Sequence, residues 1–496
     1  MTVLACLREP CLEATRTAFA FQGVRLSRGE LFGRAQQFAQ AMQARGLRPG
    51  ERVGLLMANP AVHATCLLGL SLVGAVGVAV QASWMQQVGN GPFASLGLLW
   101  LVHDRRDVAA LQLPPGCQAV SAREVFAPAS AERLATPVHP ASGSSVDLSQ
   151  PWLLSMSSGT TGEPKCVVTS QSAFMASLQM GEQFQAEDRV FLFLEHSMYW
   201  AFATACRALL AGAQAVFQPP SILPAQLLQM LHDAQASVLV LSADAASKVA
   251  SYLMDFAAQC PELHLTRVVI GGGRVSHQVR GLFQARWGAQ VLVLYGSTEM
   301  GPMAIWRQGA QPDAADDYLL SPYDGVEVQV VDAMGQSLSP EDLGYLRLRS
   351  AAMFSGYLDD SGQLPAQAPQ WFYPGDMAVM TRDGQIRLEG RSDHVLNLGG
   401  RKIDPEQIEQ VIRSNPCVAD AAVTRAVMGG AQVEVLVALL VLKNGADLAT
   451  VKASCSEALP LAQRPEYFVA VPDLPRNLSG KLQRQRLAQM VRIERH

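Results

Sequence analysis

The chain has 496 residues, of which 49% are apolar and 17% charged, with a formal net charge of −4. That length implies two or more domains with a large core, the composition excludes a disordered chain, and the absence of a basic stripe gives no sign of nucleic acid as a partner. Nine scattered cysteines, with no Cys-x-x-Cys pair and no Cys/His array, indicate neither a disulfide framework nor a structural zinc site; with no secretory leader recognised, a reducing, cytoplasmic location is expected.

In chain order, Ser27 stands as an N-cap with Glu30 at capping-box spacing, which predicts a helix running through Phe38, Ala41 and Met42. Gly46 ends it, and Arg52–Met57 reads as a strand. The apolar run from Ala64 to Val80 is long enough to cross a bilayer. It contains Gly69, Gly74 and Gly77 and ends at Gln81, so a buried helix leading into a buried strand is preferred over a membrane span. Residues 127–150, rich in Pro, Ala and Ser, read as a surface connection. From 151 to 300, short strands (Trp152–Leu154, Phe191–Leu194, Val238–Leu241, Arg267–Ile270 and Val291–Leu294) alternate with amphipathic helices, the pattern of helix-covered parallel sheets. From 320 to 390 the chain turns to strands and hairpins, with Asp383-Gly384 as a turn. A shorter α/β piece with an amphipathic helix at Pro405–Ile412 follows.

Two Gly-containing stretches follow predicted strands, where parallel sheets place ligand sites. These are Gly271-Gly272-Gly273 and Tyr295-Gly296-Ser297-Thr298-Glu299. A third, Ser155 to Lys165, holds hydroxyls at Ser157, Ser158, Thr160 and Thr161, turn-permitting Gly159 and Gly162, and a cation at Lys165. Inward backbone N–H groups, neutral donors and one ammonium suit a polyphosphate. The spacing is not Walker A, since Pro164 precedes the lysine and Cys166 follows it. The residues alone also allow a polar surface turn, or a Ser/Lys hydrolase built on Ser157, Ser158 and Lys165.

This last stretch resembles the phosphate-binding signature of the adenylate-forming superfamily, which comprises acyl- and aryl-CoA ligases, peptide-synthetase adenylation domains and luciferases. Cys166 replaces the usual glycine. Further similarities follow in the family's order: Gly271-Gly272, Tyr295 to Glu299, Pro374-Gly375-Asp376, Gly390-Arg391-Ser392-Asp393 with Gly399-Gly400, and Pro475-Arg476 to Gly480-Lys481. The resemblance implies an α/β fold: a large N-terminal domain (1–390) of mostly parallel, helix-covered sheets with a small β-rich subdomain, and a small mobile α/β domain (391–496). It implies that the loop from Ser157 to Lys165 holds ATP phosphates, that Gly272, Tyr295 and Gly296 line the adenine region, and that Thr298 contacts phosphate. Glu299 would hold Mg2+, Asp376 would accept from the ribose hydroxyls, and Arg391 would contact ribose or phosphate. Asp393 would be the hinge, Gly399 and Gly400 would line a thiol tunnel, and Lys481 would be the adenylation lysine.

His196, Tyr199, Gly271 and Gly272 are the expected acyl pocket. His196 stands where amino-acid-activating relatives carry an Asp, which favours an aryl or apolar acid, although Glu195 leaves an amine-bearing acid open. The implied activity is ATP-dependent formation of an acyl-adenylate from a small carboxylic acid, then transfer to CoA. Loading of a carrier protein's phosphopantetheine is the alternative, and a non-catalytic nucleotide-binding regulator is the alternative of another class.

Overall fold

The computed structural model describes the chain except residues 9–12, 81–95, 106–112, 128–145, 158–164, 219–222, 308–317, 360, 364–367, 393–395, 399–400, 404, 429–432, 444, 461–462, 477–481 and 492–496. Most of the expected 127–150 connection therefore lies outside the described residues.

Local rules set the first elements. Ser27 Oγ accepts from the Glu30 N–H at 3.2 Å while the Glu30 carboxylate accepts from the Ser27 N–H at 2.8 Å, which starts helix Arg28–Ala44. Asn59 caps helix Pro60–Val73 by accepting from Ala61 and Val62 N–H, and Gly74, at φ 75°, ends it in the left-handed conformation. Strand Val76–Ala79 follows at once. Among the described residues no helix is long and apolar enough to cross a membrane.

Two sheets dominate. In the first, strands Thr17–Phe21, Gln214–Phe217, Arg189–Phe193, Val238–Ser242, Arg267–Gly271 and Gln290–Ser297 lie parallel in that order. In the second, Pro151–Ser157, Val76–Ala79, Arg52–Leu56, Trp100–His103 and Gln118–Ser121 are parallel, with Lys165–Ser170 and Gly356–Tyr357 added antiparallel at one edge. Period-two alternation assigns the side chains. Val238 and Val240 enter a core that also holds Val53, Leu55 and helices Arg28–Ala44, Pro60–Val73 and Tyr199–Ala211, so residues of both sheets share it. Leu239 and Leu241 face the opposite way, against helices Pro224–Asp233, Ala243–Phe256 and His277–Trp287.

The antiparallel strands of 319–391 are not a detached sheet. Leu319–Pro322 pairs with Gly301–Arg307 on one side and Ile386–Arg391 on the other, and so continues the first sheet through Asp376–Met380, Leu343–Arg349 and Glu327–Val331. Beyond Arg391, helix Pro405–Arg413 and strands Val418–Met428, Val433–Leu442 and Tyr467–Ala470 enclose a core of their own around Ile408, Ile412, Val423 and Leu436.

Candidate nucleotide and acyl site

Strand Gln290–Ser297 turns back through residues 298–300 into Gly301–Arg307, so Thr298 and Glu299 sit in a tight hairpin at the carboxyl end of a parallel strand. Two glycines make the turn possible. A Cβ on Gly296 would lie 2.7 Å from the Gly301 carbonyl oxygen, and Gly301 itself has φ 70°. Thr298 is half-buried. Glu299 is only 9% exposed, and its backbone carbonyl accepts from Phe354 N–H at 2.7 Å. Glu299 Oε1 accepts from the Tyr357 hydroxyl at 2.9 Å. Tyr357 belongs to the other sheet, in register with Val167, and Lys165 Nζ lies 5.1 Å above its ring centroid. Burial, and then the Glu299 carboxylate, push the Tyr357 hydroxyl far up, so it stays a donor.

Lys165 is exposed and is the cross-strand partner of Ser157, whose Oγ donates to the Lys165 carbonyl at 3.4 Å. Ser158, Gly159, Thr160, Thr161 and Gly162, expected on phosphate, lie outside the described residues between these two ends. Cys166 points into the core, where burial pushes its thiol up to about 12.

A second group forms one strand pair away. Asp376 and Arg391 are cross-strand partners, and Arg391 Nη1 stands 3.4 Å from Asp376 Oδ1. The Tyr295 hydroxyl donates to Asp376 Oδ2. Burial raises the Tyr295 phenol well above its ordinary value, and the adjacent carboxylate adds to this. Gly375, at φ 86°, leaves the room that Arg391 uses, since a Cβ there would meet Arg391 Nη2 at 2.7 Å. Tyr295, Asp376 and Arg391 are thus brought together.

At the acyl end, Gly271 closes strand Arg267–Gly271 against the Trp200 ring, which a Cβ would meet at 2.8 Å, and Gly272 has φ 80°. Tyr199 does not share that direction. It is buried, meets Phe174 edge-on at 5.7 Å and donates to Ser177 Oγ at 2.8 Å. His196 is held at both ring nitrogens, with Nδ1 3.1 Å from Glu195 Oε1 and Nε2 3.0 Å from the Met57 carbonyl. The hydrogen bond with His196 outweighs burial and lowers the Glu195 carboxyl. His63, on the Pro60 helix, meets the His196 ring edge-on at 5.3 Å. Its Nδ1 has no partner among the described residues, and burial holds its pKa well below the ordinary histidine range.

Asp393, Gly399, Gly400 and Lys481 lie outside the described residues. The flanks of Lys481 do not. Arg476 and Leu482 form an antiparallel bridge, Arg476 Nη2 binds Asp420 Oδ2 at 2.6 Å, and Arg484 makes a two-point pair with buried Glu409 at 2.7 and 2.8 Å. Arg476 also stands 3.8 Å from Asp244, at the start of helix Ala243–Phe256.

Sequence reasoning missed Tyr357 and His63. A Gly-Tyr pair among strands and a histidine within an apolar helix carry no local signal, and only their neighbours in space single them out.

Lysine, carboxylates and tyrosines gathered at the strand ends of two sheets define a nucleotide-binding α/β enzyme. Residues 12–358 match the family of AMP-binding enzymes and residues 407–481 match the AMP-binding enzyme C-terminal domain. The chain belongs to this family, the adenylate-forming ligases, whose members activate acids by adenylation with ATP. It is 27% identical over 501 residues to syringomycin synthase SyrB1 of Pseudomonas syringae pv. syringae, covering 95% of this chain and 79% of that one. It is also 27% identical over 478 residues to the putative acyl-CoA ligase YdaB of Bacillus subtilis strain 168, covering 91% of each. The fold superposes on a benzoate CoA ligase from Burkholderia xenovorans LB400 with a TM-score of 0.82 at 20% identity, over 98% of this chain and 100% of that one.

Proposed function

We propose that the enzyme joins a carboxylic acid to ATP as an acyl-adenylate and then passes the acyl group to a phosphopantetheine thiol, CoA foremost. In the first half-reaction a carboxylate oxygen attacks the α-phosphorus and pyrophosphate leaves. In the second the thiol sulfur attacks the acyl carbonyl, AMP leaves and the thiol proton passes to solvent. The carboxylate is already a nucleophile, so positioning and charge stabilisation dominate. The observation that carries this reading is that Tyr357 links Lys165 and Glu299, by its ring and its hydroxyl, while Tyr295 meets Asp376 and Asp376 meets Arg391.

Lys165 and the loop from Ser157 to Gly162 take the outer phosphates, with Thr298 beside them. Asp376 accepts from the ribose hydroxyls, Arg391 steadies the ribose or phosphate, and Tyr295 and Gly296 border adenine. Glu299 fits the metal role: one oxygen is occupied by Tyr357, and the other makes no hydrogen bond among the described residues. Glu299 would hold Mg2+, which would supply charge neutralisation at the triphosphate when bound. Residues 1–390 are the adenylation body. Residues 391–496 turn about Asp393, presenting Lys481 for adenylation and then Gly399 and Gly400 for the thiol.

The acid is aryl or apolar. An α-ammonium in a closed pocket needs a carboxylate. His196 stands where amino-acid-activating relatives carry an Asp, Gly271 borders the Trp200 ring, and Glu195 is already engaged by His196. Similarity to syringomycin synthase SyrB1 supports a second reading, loading of a carrier protein. A paired assay of pyrophosphate release with benzoic-type and medium-chain acids against α-amino acids tests the acid class. Preference for an α-amino acid overturns it. Repeating the assay with CoA and with pantetheinylated carrier protein separates the two acceptors.

A further inference from the structure

Among the described residues, Tyr357 joins Lys165 to Glu299, and it does so with two different parts of itself. Its hydroxyl reaches Glu299 Oε1 at 2.9 Å and its ring face lies 5.1 Å from Lys165 Nζ. The backbone fixes both parts. Gly356-Tyr357 pairs antiparallel with Val168 and Val167, so that Tyr357 lies two residues along from the strand end that carries Lys165. Phe354, three residues earlier, donates its N–H to the Glu299 carbonyl at 2.7 Å and packs edge-on against the Tyr357 ring at 4.9 Å. One short segment therefore grips the Glu299 hairpin by its main chain and by its carboxylate.

Resting on the ATP-dependent reading above, we infer that Tyr357 is a positioning residue for the metal–triphosphate end of the site. Its hydroxyl bond to Oε1 fixes the orientation of the carboxylate and leaves Oε2, which makes no hydrogen bond among the described residues, as the oxygen favoured for Mg2+, while its ring holds the Lys165 ammonium near that carboxylate. An ionised carboxylate only accepts, so the phenol proton points at Glu299, and a ring face attracts an ammonium without neutralising it. The arrangement places a cation next to the metal-binding carboxylate without letting the two pair directly.

The test is Mn2+ affinity, read by electron paramagnetic resonance, on the full chain carrying α,β-methylene-ATP. Tyr357→Phe keeps the ring and loses the hydroxyl. It should weaken Mn2+ binding roughly 10-fold, the usual effect of losing a group that orients a metal ligand, while nucleotide affinity without metal stays as in the parent. Tyr357→Leu should weaken metal-free nucleotide binding as well, because Lys165 loses its support. In a Glu299→Gln background, Tyr357→Phe should add nothing. Parent-like Mn2+ affinity in Tyr357→Phe, with Glu299→Gln impaired, overturns the role of Tyr357 alone. Parent-like affinity in Glu299→Gln overturns the metal role of Glu299 and this inference with it.

Discussion

Asp376, proposed above to hold the ribose, also has a place in the fold. Its two oxygens already engage Tyr295 and Arg391, so its removal strands a buried phenol and loosens a guanidinium. Asp376→Ala should weaken ATP binding by about 1.5–3 kcal/mol, roughly 10- to 100-fold in Kd by calorimetry. It should also lower the thermal midpoint, an effect that a carboxylate facing only ribose would not produce. His63 makes a pH prediction. Its folded pKa lies well below the ordinary 6.5, so the unfolded chain binds the proton first as pH falls. Its stabilising contribution is present above about pH 6.5 and is lost as pH drops below that value. The fall in urea midpoint from about pH 7.5 to about pH 5 should therefore be smaller in His63→Leu than in the parent.

At the scale of elements, the end of strand Arg267–Gly271 abuts the start of helix Tyr199–Ala211, and on the proposed reading this contact would set the width of the acyl pocket. Gly271→Ala would put a methyl 2.8 Å from the Trp200 ring and force that ring to move. The expected result is a rise of roughly 10-fold in KM for the acid with kcat changed less, as for lost uniform binding, while KM for ATP stays near the parent value. What was legible in the sequence is what depends on neighbours along the chain. Ser27 with Glu30, the Gly46 stop and the apolar strand at Val238–Leu241 are local patterns, and each stands where they predict. What was not legible depends on neighbours in space. Tyr199 and Trp200 are adjacent at the first turn of a helix, so nothing in the sequence decides which faces the Phe174 core and which faces Gly271. The Tyr357–Glu299 bond joins residues of two different sheets. The continuity of the antiparallel strands with the first sheet rests on Leu319–Pro322, too short a strand to show alternation.

At the scale of the whole molecule, on the proposed reading, a body holds ATP and acid and a C-terminal part supplies Lys481 to adenylation and Gly399 and Gly400 to thioester formation. The C-terminal part has its own core, and the flanks of Lys481 are anchored to it by Arg476 on Asp420 and Arg484 on Glu409. Because Pro fixes φ near roughly −65°, Asp393→Pro should arrest the rotation, leaving one half-reaction near the parent rate and the other lost in stopped-flow assays. An equal fall in both would contradict the hinge.

The central claim is acid adenylation driven from Lys481, and the most direct measurement follows pyrophosphate and AMP while a carboxylic acid is added and withheld. With the thiol acceptor present throughout, both products should appear in equal amounts only when the acid is added, Lys481→Ala should abolish them, and the same variant should still form thioester from supplied acyl-adenylate and thiol. Acid-independent pyrophosphate release, formation of ADP, or undiminished adenylation by Lys481→Ala would contradict it.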